Sequence, residues 1–238
     1  MDLHRTFMEE DIILSVDSND VEDVKKSEIE MSKETTPKAL KEILQFKIVY
    51  WGPGESGKTT NYFRLREKFN GIILNKGVSI ETTDGRTLWQ DSIRISFFLN
   101  LGDVKFNIIA QIVTCTGQER FLQTREYVLD GADGVVFVGD SKHQKMEQNK
   151  RSFRELVSFT KKTKIPYVIQ LNKRDLEDAV TIEEFKKQLG LPSSDTYKDG
   201  TAVVYPVIAL SGENVKECFE DLIIQVIFNY FKNKLNLI

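Results

Sequence analysis

The stretch Gly52-Pro53-Gly54-Glu55-Ser56-Gly57-Lys58-Thr59 constrains this chain more than any other part of it. It matches the phosphate-loop pattern: Gly, four free positions, Gly-Lys, then Ser or Thr. An apolar run, Phe46-Lys47-Ile48-Val49-Tyr50-Trp51, precedes it and reads as a buried strand; Thr59–Phe69 follows and reads as a helix. Glycines let the backbone curl until several N–H groups face one anion. The helix start adds the positive end of its dipole. The candidate phosphate ligands are therefore Gly52, Gly54, Glu55, Ser56, Gly57, Lys58 and Thr59. Lys58 is placed to reach the β and γ phosphates, and the Thr59 hydroxyl to ligate Mg²⁺. Spacing, lysine and flanking elements together separate this stretch from a plain glycine-rich strand-to-helix turn.

Strands and helices alternate from residue 38 onward. The expected strands are Phe46–Trp51, Ser92–Leu99, Lys105–Val113, Gly134–Gly139, Tyr167–Asn172 and Val203–Ile208. The expected helices are Thr59–Phe69, Phe121–Leu129, Gln148–Lys162, Ile182–Leu189 and Val215–Lys234. Such alternation predicts an α/β fold, a mostly parallel six-stranded sheet with helices on both faces. The break at Asn100-Leu101-Gly102-Asp103 predicts an antiparallel pair, one member at an edge. In the last helix Val215, Phe219, Leu222, Ile223, Val226, Ile227 and Tyr230 keep a spacing of three or four, which reads as core packing.

The overall charge of −3 hides an asymmetry: residues 1–36 carry a net −7 and residues 37–238 a net +4. Residues 1–37 therefore read as an acidic extension, flexible or regulatory, and residues 38–238 as the globular domain. So small a positive balance argues against general nucleic-acid binding. Cys115 and Cys218 are far apart and make neither a disulfide framework nor a zinc spacing, which fits a reducing cytoplasm. No apolar run approaches membrane length, so any membrane contact is expected to run through an amphipathic surface or a partner.

Two further motifs join the phosphate loop. Asn172-Lys173-Arg174-Asp175 ends an apolar strand, about 115 residues after the loop. A carboxylate there accepts hydrogens from the ring N–H and the exocyclic amine of guanine, a donor pair adenine lacks, and a wrong base would leave it unpaired. Ligands of α/β sheets bind at that strand edge. Thr116-Gly117-Gln118-Glu119-Arg120 directly follows another strand; Gly117 lets its N–H approach a γ-phosphate, and Gln118 can orient an attacking water.

With these residues in view the chain resembles the small GTPases, and within them the gliding-motility type of bacteria and archaea, the MglA-like family. The likeness spans roughly residues 44–234. It is carried by the three motifs, by Glu81-Thr82-Thr83-Asp84-Gly85-Arg86-Thr87-Leu88 and by Gly134-Val135-Val136-Phe137-Val138. The resemblance implies a G domain that binds GTP and GDP with Mg²⁺ and acts as a molecular switch, hydrolysing GTP slowly. It implies that Asn172, Lys173 and Asp175 hold guanine, with Ala209 and Leu210 in the last guanine loop. It implies that Thr60 joins Gly57, Lys58 and Thr59 in holding phosphates and Mg²⁺, that Thr87 closes on Mg²⁺ beside Thr59, that Arg86 is a built-in arginine finger, and that Gln118 positions the water. It also implies a roadblock/LC7-type regulator and a polarity, motility or trafficking role.

Three positions depart from the common small-GTPase pattern. Thr114 stands where most have Asp, as it does in MglA-like proteins, leaving the metal site one negative charge short. Gly85 is an extra residue ahead of Arg86. Leu210 replaces a common Lys. The first two leave a second reading open, a scaffold that binds guanine nucleotide without hydrolysing it. A P-loop nucleotide kinase would need a second substrate site and an arginine-rich lid, and neither is visible in the chain.

Overall fold

The computed structural model describes residues 42–75, 92–101, 104–115, 127–192 and 203–234. Its centre is a seven-stranded sheet in the order β2-β3-β4-β1-β5-β6-β7. The strands are β1 (Glu42–Trp51), β2 (Ile73–Asn75), β3 (Ser92–Leu101), β4 (Val104–Thr114), β5 (Gly134–Asp140), β6 (Tyr167–Asn172) and β7 (Val204–Val207). Every pair from β4 through β7 is parallel; β2–β3 and β3–β4 are antiparallel.

The sheet thus has one strand more than the six expected. Three residues are too few to show a period, and β2 holds only two register pairs with β3. Its presence makes β2, not β3, the strand at that end of the order.

Among the described residues four helices flank the sheet: α1 (Lys58–Lys68), α2 (Met146–Thr163), α3 (Ile182–Leu189) and α4 (Val215–Lys234). Of the helix expected over Phe121–Leu129, only Tyr127–Leu129 lie among the described residues, and these are helical. Helices α1 and α4 share one face with Phe46, Ile48, Tyr50, Ile108, Ile112, Val136 and Val138; α4 contributes the expected stripe from Val215 to Ile227, with Tyr230 packed at its margin. Helices α2 and α3 cover the opposite face through Phe153, Leu156 and Phe185, against Val49, Trp51, Val135, Phe137, Ile169 and Leu171. Strand β5 is buried along its whole length, which explains its unbroken apolar run. Cys115 is buried in this second cluster as a packing residue. No described helix is long and apolar enough to cross a membrane.

Candidate functional site

Because β1, β4, β5, β6 and β7 run parallel, the loops leaving their C-terminal ends gather along one edge of the sheet. This is where open α/β sheets hold ligands. The phosphate loop leaves β1, Asp140 ends β5, Asn172 ends β6, and Ala209 and Leu210 follow β7.

The phosphate loop turns tightly on its glycines. Gly52 has φ 151°, and a Cβ there would lie 2.3 Å from the Val138 carbonyl oxygen. Gly57 has φ 100°, and a Cβ there would lie 2.2 Å from Asn172 Nδ2. Glu55 takes the left-handed region at φ 65° without being glycine, at a cost of roughly 1–2 kcal/mol. Helix α1 starts at Gly57 with no side-chain cap, the arrangement that lends a helix start to an anion. Lys58 is buried, and its Nζ donates to the carbonyls of Gly52 (3.1 Å) and Pro53 (2.6 Å). The Ser56 hydroxyl is wholly buried with no hydrogen-bond partner among the described residues. This loop of inward-turned backbone, one buried lysine and one orphaned hydroxyl suits a polyphosphate. Thr59 follows Lys58 in the first turn of α1. Mg²⁺ commonly takes only one or two protein oxygens beside substrate phosphates and waters, so a single threonine hydroxyl fits.

Asn172 ties the loops together. Its Nδ2 donates to the Ser56 carbonyl (2.8 Å), and its Oδ1 accepts from the Ala209 N–H (2.9 Å). One side chain therefore joins the phosphate loop, the end of β6 and the loop after β7. The same Ala209 N–H that the resemblance assigns to guanine is held here by Asn172. Leu210 is 69% exposed, and its carbonyl accepts from Arg64 on α1. Asp175 is exposed in the turn after β6.

Lys173 has φ 68°, and its Nζ donates to Asp140 Oδ2 at 2.6 Å. Asp140 is wholly buried. It is fixed from α2, where Asn149 accepts from the Asp140 N–H (3.0 Å) and donates to its carbonyl (2.8 Å). Ser141 adds a bond from its hydroxyl to the Asn172 carbonyl (2.6 Å). Asp140, Ser141 and Asn149 were not singled out from the sequence. The signal was a carboxylate ending an apolar strand at the edge where the other motifs end.

The structure brings together Gly52, Gly54, Glu55, Ser56, Gly57, Lys58, Thr59, Thr60, Asn172, Lys173, Asp175, Ala209 and Leu210 on this edge. Arg86, Thr87, Gly117 and Gln118 lie outside the described residues. Thr114 is buried at the end of β4. Among the described residues no cluster of three or more His, Cys, Asp or Glu could hold a metal unaided.

Comparison with known proteins gives a consistent answer. The ADP-ribosylation factor family matches residues 36–226. The mutual gliding-motility protein MglA of Myxococcus xanthus is 42% identical over 149 residues, covering 60% of this chain and 74% of that protein. ADP-ribosylation factor-like protein 4A of Mus musculus is 27% identical over 190 residues, covering 77% and 84%. ADP-ribosylation factor-like protein 3 of Saccharomyces cerevisiae is 23% identical over 188 residues, covering 76% and 86%.

Proposed function

This chain belongs to the ADP-ribosylation factor family of small GTPases, a GTP-binding switch by membership, and from that premise we propose how its residues work. The reading rests above all on Asn172, whose amide joins the phosphate loop to the loop after β7 from its own place at the end of β6. The phosphate-loop amides and Lys58 bind the polyphosphate. Thr59, with Thr87, would hold Mg²⁺, which when bound would offset the charge of the phosphates. Lys173 lies along the base, and Asp175 reads its ring N–H and amine.

Hydrolysis in this reading is positioning and charge stabilisation, with little covalent chemistry for the protein. Gln118 orients the water and Arg86 meets the charge that develops on the phosphates. The γ-phosphate draws in the loops around residues 75–90 and 114–125, and its loss releases them. Turnover is slow until a partner aligns Arg86 and Gln118; a roadblock/LC7-type regulator fills that role. Residues 38–238 form the G domain and residues 1–37 an acidic extension, flexible or regulatory, with any membrane recruitment through partners. A motility or polarity role is the corresponding cellular proposal.

The test begins with nucleotide content after gentle purification, where bound GDP is expected. Single-turnover hydrolysis then compares wild type with Gln118→Ala and Arg86→Ala, with and without candidate regulators. Loss of phosphate release in the variants supports the switch. Thr114, buried where a carboxylate would add charge to the metal site, favours the second reading. If wild type and both variants are equally inert with every partner tried, the chain is a guanine-nucleotide-binding scaffold.

A further inference from the structure

Two charged residues meet beside the pocket, and one of them breaks a local rule. Glu55 occupies a left-handed position in the phosphate loop that favours glycine. Lys145 is the last residue of a short 3-10 turn, His143–Lys145, that runs directly into α2. Lys145 Nζ lies 2.9 Å from Glu55 Oε2, and it also donates to Gln148 Oε1 at 3.3 Å. Residues that break local rules commonly do so for a site.

The same short connection, Asp140 to Lys145, carries the partner of Lys173 at its other end. Lys173 is also left-handed without being glycine. One segment thus holds a base-side loop at one end and the phosphate-side loop at the other.

We propose that Lys145 is a positioning residue for the nucleotide: its pairing with Glu55 keeps the phosphate loop in its left-handed turn and shields the polyphosphate from that carboxylate. The proposal rests on the guanine-nucleotide reading of the pocket. A carboxylate at the lip of an anion site repels the anion unless a cation stands beside it. Losing the lysine removes that neighbouring cation and loosens the left-handed turn at Glu55. Lys145 is 22% exposed and Glu55 58%, so the effect is that of a partly screened pair.

The experiment follows release of N-methylanthraniloyl-GDP from the full chain with Mg²⁺ after adding excess unlabelled GDP. Lys145→Ala is expected to speed release by about fivefold at low salt, with the difference shrinking at 1 M salt, where screening is within about 3 Å. Lys145→Arg is expected to stay near wild type. Lys150→Ala removes a comparable lysine, paired with Glu147 on the same helix, and is expected to change nothing. In a Glu55→Gly background, Lys145→Ala is expected to have no effect, because the carboxylate it answers is gone. An equal acceleration in that background, or wild-type release by Lys145→Ala, overturns the proposal while the pocket reading stands. Failure of the wild type to take up the labelled nucleotide overturns the pocket reading itself.

Discussion

Asn172 looks from sequence like a base-holding residue, and the structure gives it a second task. Its amide joins two backbone groups in separate loops, Ser56 and Ala209. Asn172→Ala leaves both of these groups without that partner, and each buried unsatisfied group costs about 1–3 kcal/mol. The variant is therefore expected to unfold about 2–3 kcal/mol more easily in urea even with nucleotide removed. A base contact alone would not alter the nucleotide-free protein, so unchanged stability there would deny the tying role. Asp140→Asn tests the neighbouring contact. A hydrogen bond to a charged group contributes about 1.5–3 kcal/mol, so affinity for GDP is expected to fall about tenfold or more, read by titration calorimetry. The motif residues were legible because backbone turns and charged ligands demand particular residue types at fixed spacing. Asn172's tie to Ser56 spans 116 positions, and no local spacing announces such a partner. Asp140 was missed because a lone carboxylate at a strand end has meaning only once β5 and β6 are side by side, pairing Asp140 with Asn172.

At the level of elements, segments long enough to show a pattern were readable, and the three-residue β2 was not. Helices α3 and α4 fall on the expected limits. Thr181 caps α3 by accepting from the Glu184 N–H, and Gly190 closes it in the left-handed region, both visible as a start and a stop. Strand β2 lacked the length to show a pattern. The register of β1 on β5 depends on a contact the motifs do not show. Just ahead of β5, Asp133 accepts from the Lys47 N–H (2.7 Å), and its own N–H donates to the Lys47 carbonyl (2.9 Å). Burial pushes the Asp133 carboxyl above its ordinary value, although the Lys47 N–H and ammonium pull it down. Burial likewise lowers Lys47, against the pull of Asp130 and Asp133. Both shifts run opposite to what an ion pair alone would give, so desolvation is the larger effect here. The folded state thus keeps the Asp133 proton to higher pH than the unfolded chain does. Its contribution to stability declines as pH rises from about 3.8 through the raised value, and stays lower above it. Asp133→Asn keeps an acceptor for the Lys47 N–H and removes that decline. It is expected to be at least as stable as wild type at pH 7, with the gap closing below the ordinary carboxyl value. Urea midpoints across a pH series measure this, and a marked loss at pH 7 would mean that attraction to Lys47 outweighs burial.

For the whole molecule, the parallel sheet brings the pocket's parts together only when folded: β1, β5, β6 and β7 each deliver one loop to the same edge. An unfolded chain presents no pocket, so a ligand that fits it binds the native state alone and shifts folding by mass action. At a hundredfold excess over its dissociation constant, GDP adds about 2.7 kcal/mol. For a domain of this size each kcal/mol moves the midpoint by about 2–4 °C, so GDP with Mg²⁺ is expected to raise the Tm by roughly 5–11 °C. ATP at the same concentration is expected to raise it only slightly, through the phosphate contacts alone, because Asp175 meets no paired donors on adenine. Asp175→Ala separates the two halves of the pocket in the same measurement. The phosphate loop and Lys58 are untouched by that change, so the variant keeps a small shift with either nucleotide while the preference for guanine disappears. Equal large shifts from ATP and GDP in the wild type would place recognition in the phosphates alone and remove the base-reading role from the end of β6.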